Sequence, residues 1–193
     1  MMILALIIFS LLGYIIGALT PGAWIARWYG IDDITHYGSG STGATNVARV
    51  LGFYYFFIIF LLDCCKAFFY MKFLMWYGLA LPSLVIISLA LLIGNSYSIF
   101  INFNGGKGIA TSFGILLALQ SSLISSVFIV WACMMMITKI VGISSVVALI
   151  SLPVLAWYTV GNNSLLLLTI IISIWGLLRH VDNIKRFYLS YTQ

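Results

Sequence analysis

The chain has 193 residues, of which 63% are hydrophobic and only 7% charged, and its mean hydropathy is +1.16. Soluble domains carry about 25% charged residues, so nine Lys plus Arg, four Asp and two His leave too little ionic surface for a globule in water, and lipid must be the main solvent. A soluble enzyme, a disordered chain and a disulfide scaffold are excluded, and Cys64, Cys65 and Cys133, set in apolar runs, read as small hydrophobes.

The first apolar run, Ile3 to Thr20, has no Lys or Arg before it and no small-residue cleavage pattern after it, so it reads as a transmembrane helix and not a signal peptide. Its 18 residues reach about 27 Å, close to the roughly 30 Å hydrocarbon core. Further apolar stretches at 51–71, 79–94, 109–119, 122–138, 143–160 and 163–178 bring the expectation to about seven spans. The predicted fold is an all-α integral membrane protein, a single polytopic domain over residues 1–193.

Residues 109–138 form either one overlong helix or a hairpin turning near Gln120, Ser121 and Ser122. With a hairpin, Arg27, Arg49, Lys107, Lys139, Arg179, Lys185 and Arg186 all fall on one side, as the positive-inside rule requires of the cytoplasm. The hairpin is therefore expected, with the N-terminus outside and the C-terminus cytoplasmic. Its first arm, 109–119, reaches only about 17 Å.

Polar residues gather in three connections on that same side, at about 36–50, 95–108 and 179–187. The first contains Gly38-Ser39-Gly40-Ser41-Thr42-Gly43-Ala44-Thr45-Asn46-Val47-Ala48-Arg49. Such a string is no stable exposed helix. It lets backbone N–H groups approach an anion, with Arg49 available for a bidentate phosphate contact. The second ends in Gly105-Gly106-Lys107-Gly108 at the expected start of a helix. Free loop amides, the positive end of a helix dipole and one ammonium would together make an anion site.

The third runs Arg179-His180-Val181-Asp182-Asn183-Ile184-Lys185-Arg186-Phe187. If the last helix continues, His180 and Asn183 share a face, while Lys185 and Arg186 equally suit contact with anionic lipid. Inside the second span, Asp63 and Lys66 stand at i, i+3. Each alone would cost about 2.5–3.5 kcal/mol near the bilayer centre, so a structural ion pair facing the bundle interior is expected.

Two generic patterns fail on context. Gly38, Gly40 and Gly43 with Asp63 mimic a dinucleotide fingerprint, but Asp63 lies in a membrane span and no βαβ unit surrounds the glycines. Gly106-Lys107 suggests a Walker loop, but Gly108 stands where Ser or Thr should bind magnesium. No grouping of His, Cys and carboxylates suggests a metal, and no cofactor is expected.

The motifs GSGSTGATNVAR, GNSYSIFINFNGGKGIAT and RHVDNIKRF, in this order and at these separations, resemble the bacterial acyl-phosphate:glycerol-3-phosphate acyltransferase family over nearly the whole chain. The resemblance implies a seven-helix inner-membrane enzyme whose site opens to the cytoplasm. Such an enzyme moves a fatty acyl group from long-chain acyl phosphate to the 1-hydroxyl of glycerol 3-phosphate, giving lysophosphatidic acid and phosphate. It implies Ser39, His180 and Asn183 as catalytic residues. Arg49, Asn46, Gly105, Gly106, Lys107 and Gly108 would bind substrate phosphate. The implied partners are the two substrates, membrane lipid and a hand-off from the enzyme making acyl phosphate, with no nucleic acid. The family usually has His and Pro at the positions of Asn95 and Ser98, Asn at Ser41 and Glu at Asp182, which marks a divergent member and removes Asn95 as an acid or base.

The residue types suit bringing two phosphate-bearing reactants together by positioning and electrostatics. A transporter of a small phosphorylated solute would use similar groups. It should, however, place them at the midplane between paired repeats, and no repeat is evident.

Overall fold

A computed structural model describes residues 2–181, and every regular element in that range is helical. Four stretches among the described residues are long and apolar enough to cross a membrane: Ile3–Trp28, Leu81–Ile101, Ser121–Thr138 and Val141–Thr159. Shorter apolar helices cover Ile109–Leu119 and Asn163–Arg179. The chain divides into two units, Met1–Leu119 and Gln120–Gln193.

The first unit contains α1 (Met2–Ala18), α2 (Pro21–Trp28), α3 (Ala44–Leu51), α4 (Tyr54–Trp76), α5 (Leu81–Ser96) and α6 (Ile109–Leu119). Here α1 lies directly on α5, because glycines remove the side chains that would hold the backbones apart. A Cβ on Gly17 would strike the Leu91 carbonyl, and one on Gly94 would strike that of Tyr14. Close approach of this kind replaces the hydrophobic effect, which is weak between helices already in lipid. Hydroxyls tie the same contact, with Tyr14 Oη donating to the Tyr97 carbonyl at 2.9 Å and Ser98 Oγ to that of Ala18 at 2.6 Å. On its other side, α4 meets α6 through Phe60 and Phe113, whose ring centroids are 5.5 Å apart, and through Gly114 against Cys64 and Ala67.

Two short helices were not foreseen. Residues 21–28, read as connection, form α2, which begins with Pro21 in the first turn, where its missing N–H costs nothing. Residues 44–51, in the string expected to be non-helical, form α3. The correction has a tertiary cause. The helix is not exposed on every side: Val47 is fully buried in a cluster with Ile25, Ala26, Ile34 and Ile59. Packing of this face outweighs the weak helix propensity of the segment.

In the second unit, α7 (Ser121–Thr138), α8 (Val141–Thr159) and α9 (Asn163–Arg179) pack in sequence. Lys139, in the left-handed region at φ 55°, turns α7 into α8. Trp131 Nε1 donates to Ser145 Oγ at 3.3 Å across that pair. Between α8 and α9, Ser173 Oγ donates to the Leu149 carbonyl at 2.7 Å. Helical structure breaks between α6 and α7 at the single residue Gln120 (φ −153°, ψ 81°), where the sequence predicts an interruption.

Candidate active site

The first motif loop is organised around Asn46, in the first turn of α3 and fully buried. Its Nδ2 lies within donor distance of the carbonyls of Ser41 at 2.8 Å, Tyr37 at 2.9 Å and Ile34 at 3.3 Å. Its Oδ1 accepts from the Ser39 N–H at 2.6 Å. Gly38, at φ 56°, passes so close that a Cβ would collide with this oxygen. Asn46 was expected to touch substrate phosphate. In this structure its amide bonds the loop backbone, including the N–H of Ser39.

Ser39 itself is half-buried, with its hydroxyl 3.2 Å from that of Ser41. Arg49, one turn beyond Asn46, is exposed, and its Cδ lies 3.7 Å from where a Gly38 Cβ would stand. Ser39 and the stem of the Arg49 side chain therefore border the same glycine turn. At the loop's entry, Asp33 accepts from the Thr35 N–H at 2.8 Å and hydroxyl at 2.7 Å. The Thr35 hydroxyl above all, then its amide, favours the charged carboxylate and holds Asp33 below its ordinary pKa.

The glycine loop leaves α5 through a 3-10 turn at Ile99–Ile101, and Asn102 and Phe103 then take left-handed φ angles. The loop folds back onto the end of α5. Gly105 N–H donates to the Ser96 carbonyl at 3.1 Å, and Gly106 N–H to that of Asn95 at 2.9 Å. The amides of Gly105 and Gly106 are thus engaged, contrary to the expectation of free donors. Terminal carbonyls of a helix lack intrahelical partners, and these loop amides supply them. A Cβ on Gly105 would run into the Asn95 and Ser96 backbone, so glycine is required for the close approach. Beyond them, Lys107 and Gly108, the latter at φ 81°, lead into α6, whose first-turn N–H groups and dipole favour an anion.

The buried Asp63 and the partly buried Lys66 form an ion pair in α4, with Lys66 Nζ 2.6 Å from Asp63 Oδ1. Lys66 also donates to the carbonyls of Gly17 at 2.9 Å and Leu19 at 2.5 Å and to Asn95 Oδ1 at 3.1 Å.

In the second unit, His180 caps the C-terminus of α9 and is 3% exposed. The helix ends at Arg179, one residue beyond the predicted apolar run 163–178. The His180 Nδ1 lies 2.8 Å from the Gly176 carbonyl, which can only accept, so this nitrogen carries the proton. The Gly176 carbonyl thus holds one ring nitrogen from one turn back on α9. Asn183, Asp182, Lys185 and Arg186 lie outside the described residues. Among the described residues no group of His, Cys and carboxylates could hold a metal ion.

Helical throughout its described residues and carrying apolar helices of membrane length, the chain has the architecture of an integral membrane protein. The comparisons make this specific. Residues 7–189 match the family described as glycerol-3-phosphate acyltransferase. Over 177 residues the chain is 38% identical to the glycerol-3-phosphate acyltransferase of Synechococcus sp. strain JA-2-3B'a(2-13), covering 90% of this chain and 86% of that protein. To that of Fusobacterium nucleatum it is 33% identical over 183 residues, covering 95% and 94%. Its fold superposes with a TM-score of 0.90 and 30% identity on the crystal structure of PlsY, an integral membrane glycerol 3-phosphate acyltransferase, in its glycerol 3-phosphate form, covering 96% of this chain and 93% of that one. The chain belongs to the glycerol-3-phosphate acyltransferase family.

Proposed function

We propose that the protein transfers a fatty acyl group from acyl phosphate to the 1-hydroxyl of glycerol 3-phosphate, giving lysophosphatidic acid and inorganic phosphate. The observation that carries this reading is the glycine loop, drawn onto α5 so that Lys107 stands at the start of α6. The family membership and the likeness to a structure of PlsY with glycerol 3-phosphate support the acceptor. The acyl phosphate donor rests on the match to the three family motifs.

In this reading Lys107, Gly108 and the first turn of α6 take the phosphate of glycerol 3-phosphate, and Arg49 offsets the charge of the acyl phosphate. The glycerol 1-oxygen attacks the acyl carbonyl carbon, the bond from that carbon to the phosphate oxygen breaks, and the hydroxyl proton leaves on the departing phosphate. Ser39, His180 and Asn183 orient the reactants and stabilise developing charge. Direct transfer is favoured because the positions matched to the family motifs, Ser39, Arg49, Lys107, His180 and Asn183, include no carboxylate to complete a Ser-His-Asp triad.

The site faces the cytoplasm of the bacterial inner membrane, in one polytopic domain of seven spans. Its N-terminus is outside and its C-terminus cytoplasmic, with acyl phosphate handed over by the enzyme that makes it. Among the described residues, helices α1 and α4 to α9, together with the one-sided arrangement of basic residues, support this topology. The test is to give the purified protein glycerol 3-phosphate with palmitoyl phosphate or with palmitoyl-CoA and to measure lysophosphatidic acid and phosphate. Product from acyl phosphate alone is expected; product from the thioester would overturn the donor.

A further inference from the structure

Lys66 makes more contacts than an ion pair needs. A part-buried ammonium has three protons to place, and its four neighbours come from three elements. Asp63 lies on its own helix, the Gly17 and Leu19 carbonyls at the end of α1, and Asn95 Oδ1 in the last turn of α5. Asn95 then faces two ways. Its side chain meets Lys66, while its carbonyl accepts the Gly106 N–H at 2.9 Å, one residue before Lys107. The residue is 3% exposed, so solvent does not compete for either bond.

From this geometry we propose that Lys66 and Asn95 are positioning residues for the glycine loop: the Asp63–Lys66 pair anchors the Asn95 side chain, and Asn95 holds Gly106 so that Lys107 meets substrate phosphate. Residue 95 carries this role through a neutral amide, with no proton transfer. Charge on Lys66 matters because α1 ends here, and its last carbonyls need donors that lipid does not provide. One ammonium thereby fixes the end of α1, the end of α5 and, through α5, the loop. The inference rests on the reading that this loop takes the phosphate of glycerol 3-phosphate.

The experiment uses the full-length protein in detergent. Equilibrium binding of radiolabelled glycerol 3-phosphate is measured without acyl donor, alongside KM for palmitoyl phosphate and thermal stability. Asn95→Leu keeps the backbone carbonyl but removes the amide that Lys66 grips. It should weaken glycerol 3-phosphate binding about tenfold, while KM for palmitoyl phosphate stays within about twofold. The double variant D63L/K66M removes both charges together, leaving no lone buried ion, and should produce the same selective loss. Lys107→Ala serves as reference. Weak binding in Lys107→Ala with wild-type binding in both other variants would overturn the positioning role alone. Unchanged binding in Lys107→Ala would overturn the phosphate-loop assignment and the inference with it. Equal damage to both substrates with a collapsed melting temperature in both variants would reduce Lys66 and Asn95 to structural residues.

Discussion

The backbone N–H of Ser39 donates to Asn46 Oδ1 at 2.6 Å, while the nitrogen of the same amide reaches three backbone carbonyls. One side chain therefore defines where the motif serine stands, although the two residues are seven positions apart.

Asn46→Leu should lower kcat by about a hundredfold or more, because it releases Ser39 and orphans buried carbonyls at about 1–3 kcal/mol each. Steady-state kinetics at saturating substrate check this. A variant with normal kcat and a raised KM for glycerol 3-phosphate would restore Asn46 as a direct ligand.

Lys107→Ala should raise KM for glycerol 3-phosphate by about ten- to a hundredfold with a smaller change in kcat, since a charge-assisted bond to phosphate forms in the ground state and persists. The measurement is a full substrate titration at fixed acyl phosphate. An unaltered KM would put the phosphate elsewhere.

No acyl group should accumulate on Ser39 when the protein is mixed with acyl phosphate in the absence of glycerol 3-phosphate. Quenching and intact-mass analysis decide the matter. A stoichiometric adduct abolished by Ser39→Ala would replace direct transfer with a covalent route.

Gly17→Val places a side chain against the Leu91 carbonyl, where α1 and α5 touch. Forcing the helices apart should destabilise the protein by about 3 kcal/mol, at the upper end for overpacking. Gly161→Ala, where a Cβ meets nothing within 4 Å, is the control and should melt with wild type. Equal melting temperatures would mean that this contact does not limit stability.

Composition and apolar runs were enough to determine that this chain lives in lipid and to locate most of its long helices, although α4 (Tyr54–Trp76) extends five residues past the run read at 51–71. Apolar runs at 79–94, 122–138, 143–160 and 163–178 begin and end within two residues of α5, α7, α8 and α9. In lipid a span must be apolar along its length and satisfy its own backbone, so the signal is local and strong. The motif residues were equally legible, since glycine, serine and basic side chains stand out against so apolar a background.

Contacts between distant residues were decided only in three dimensions. The eight-residue helices α2 and α3 are too short for periodicity to declare, and α3 owes its stability to Val47 packing against α4. Gly105 and Gly106 read as free donors because nothing local reveals that the end of α5 offers carbonyls to them. Asp63 and Lys66 stand one helical turn apart, so their meeting is a local matter. The other partners of Lys66 lie 29 to 49 residues away. Spacing along one helix predicts a neighbour on that helix, whereas a partner on another depends on how the helices pack, and that is settled by the close approach that Gly17 and Gly94 permit.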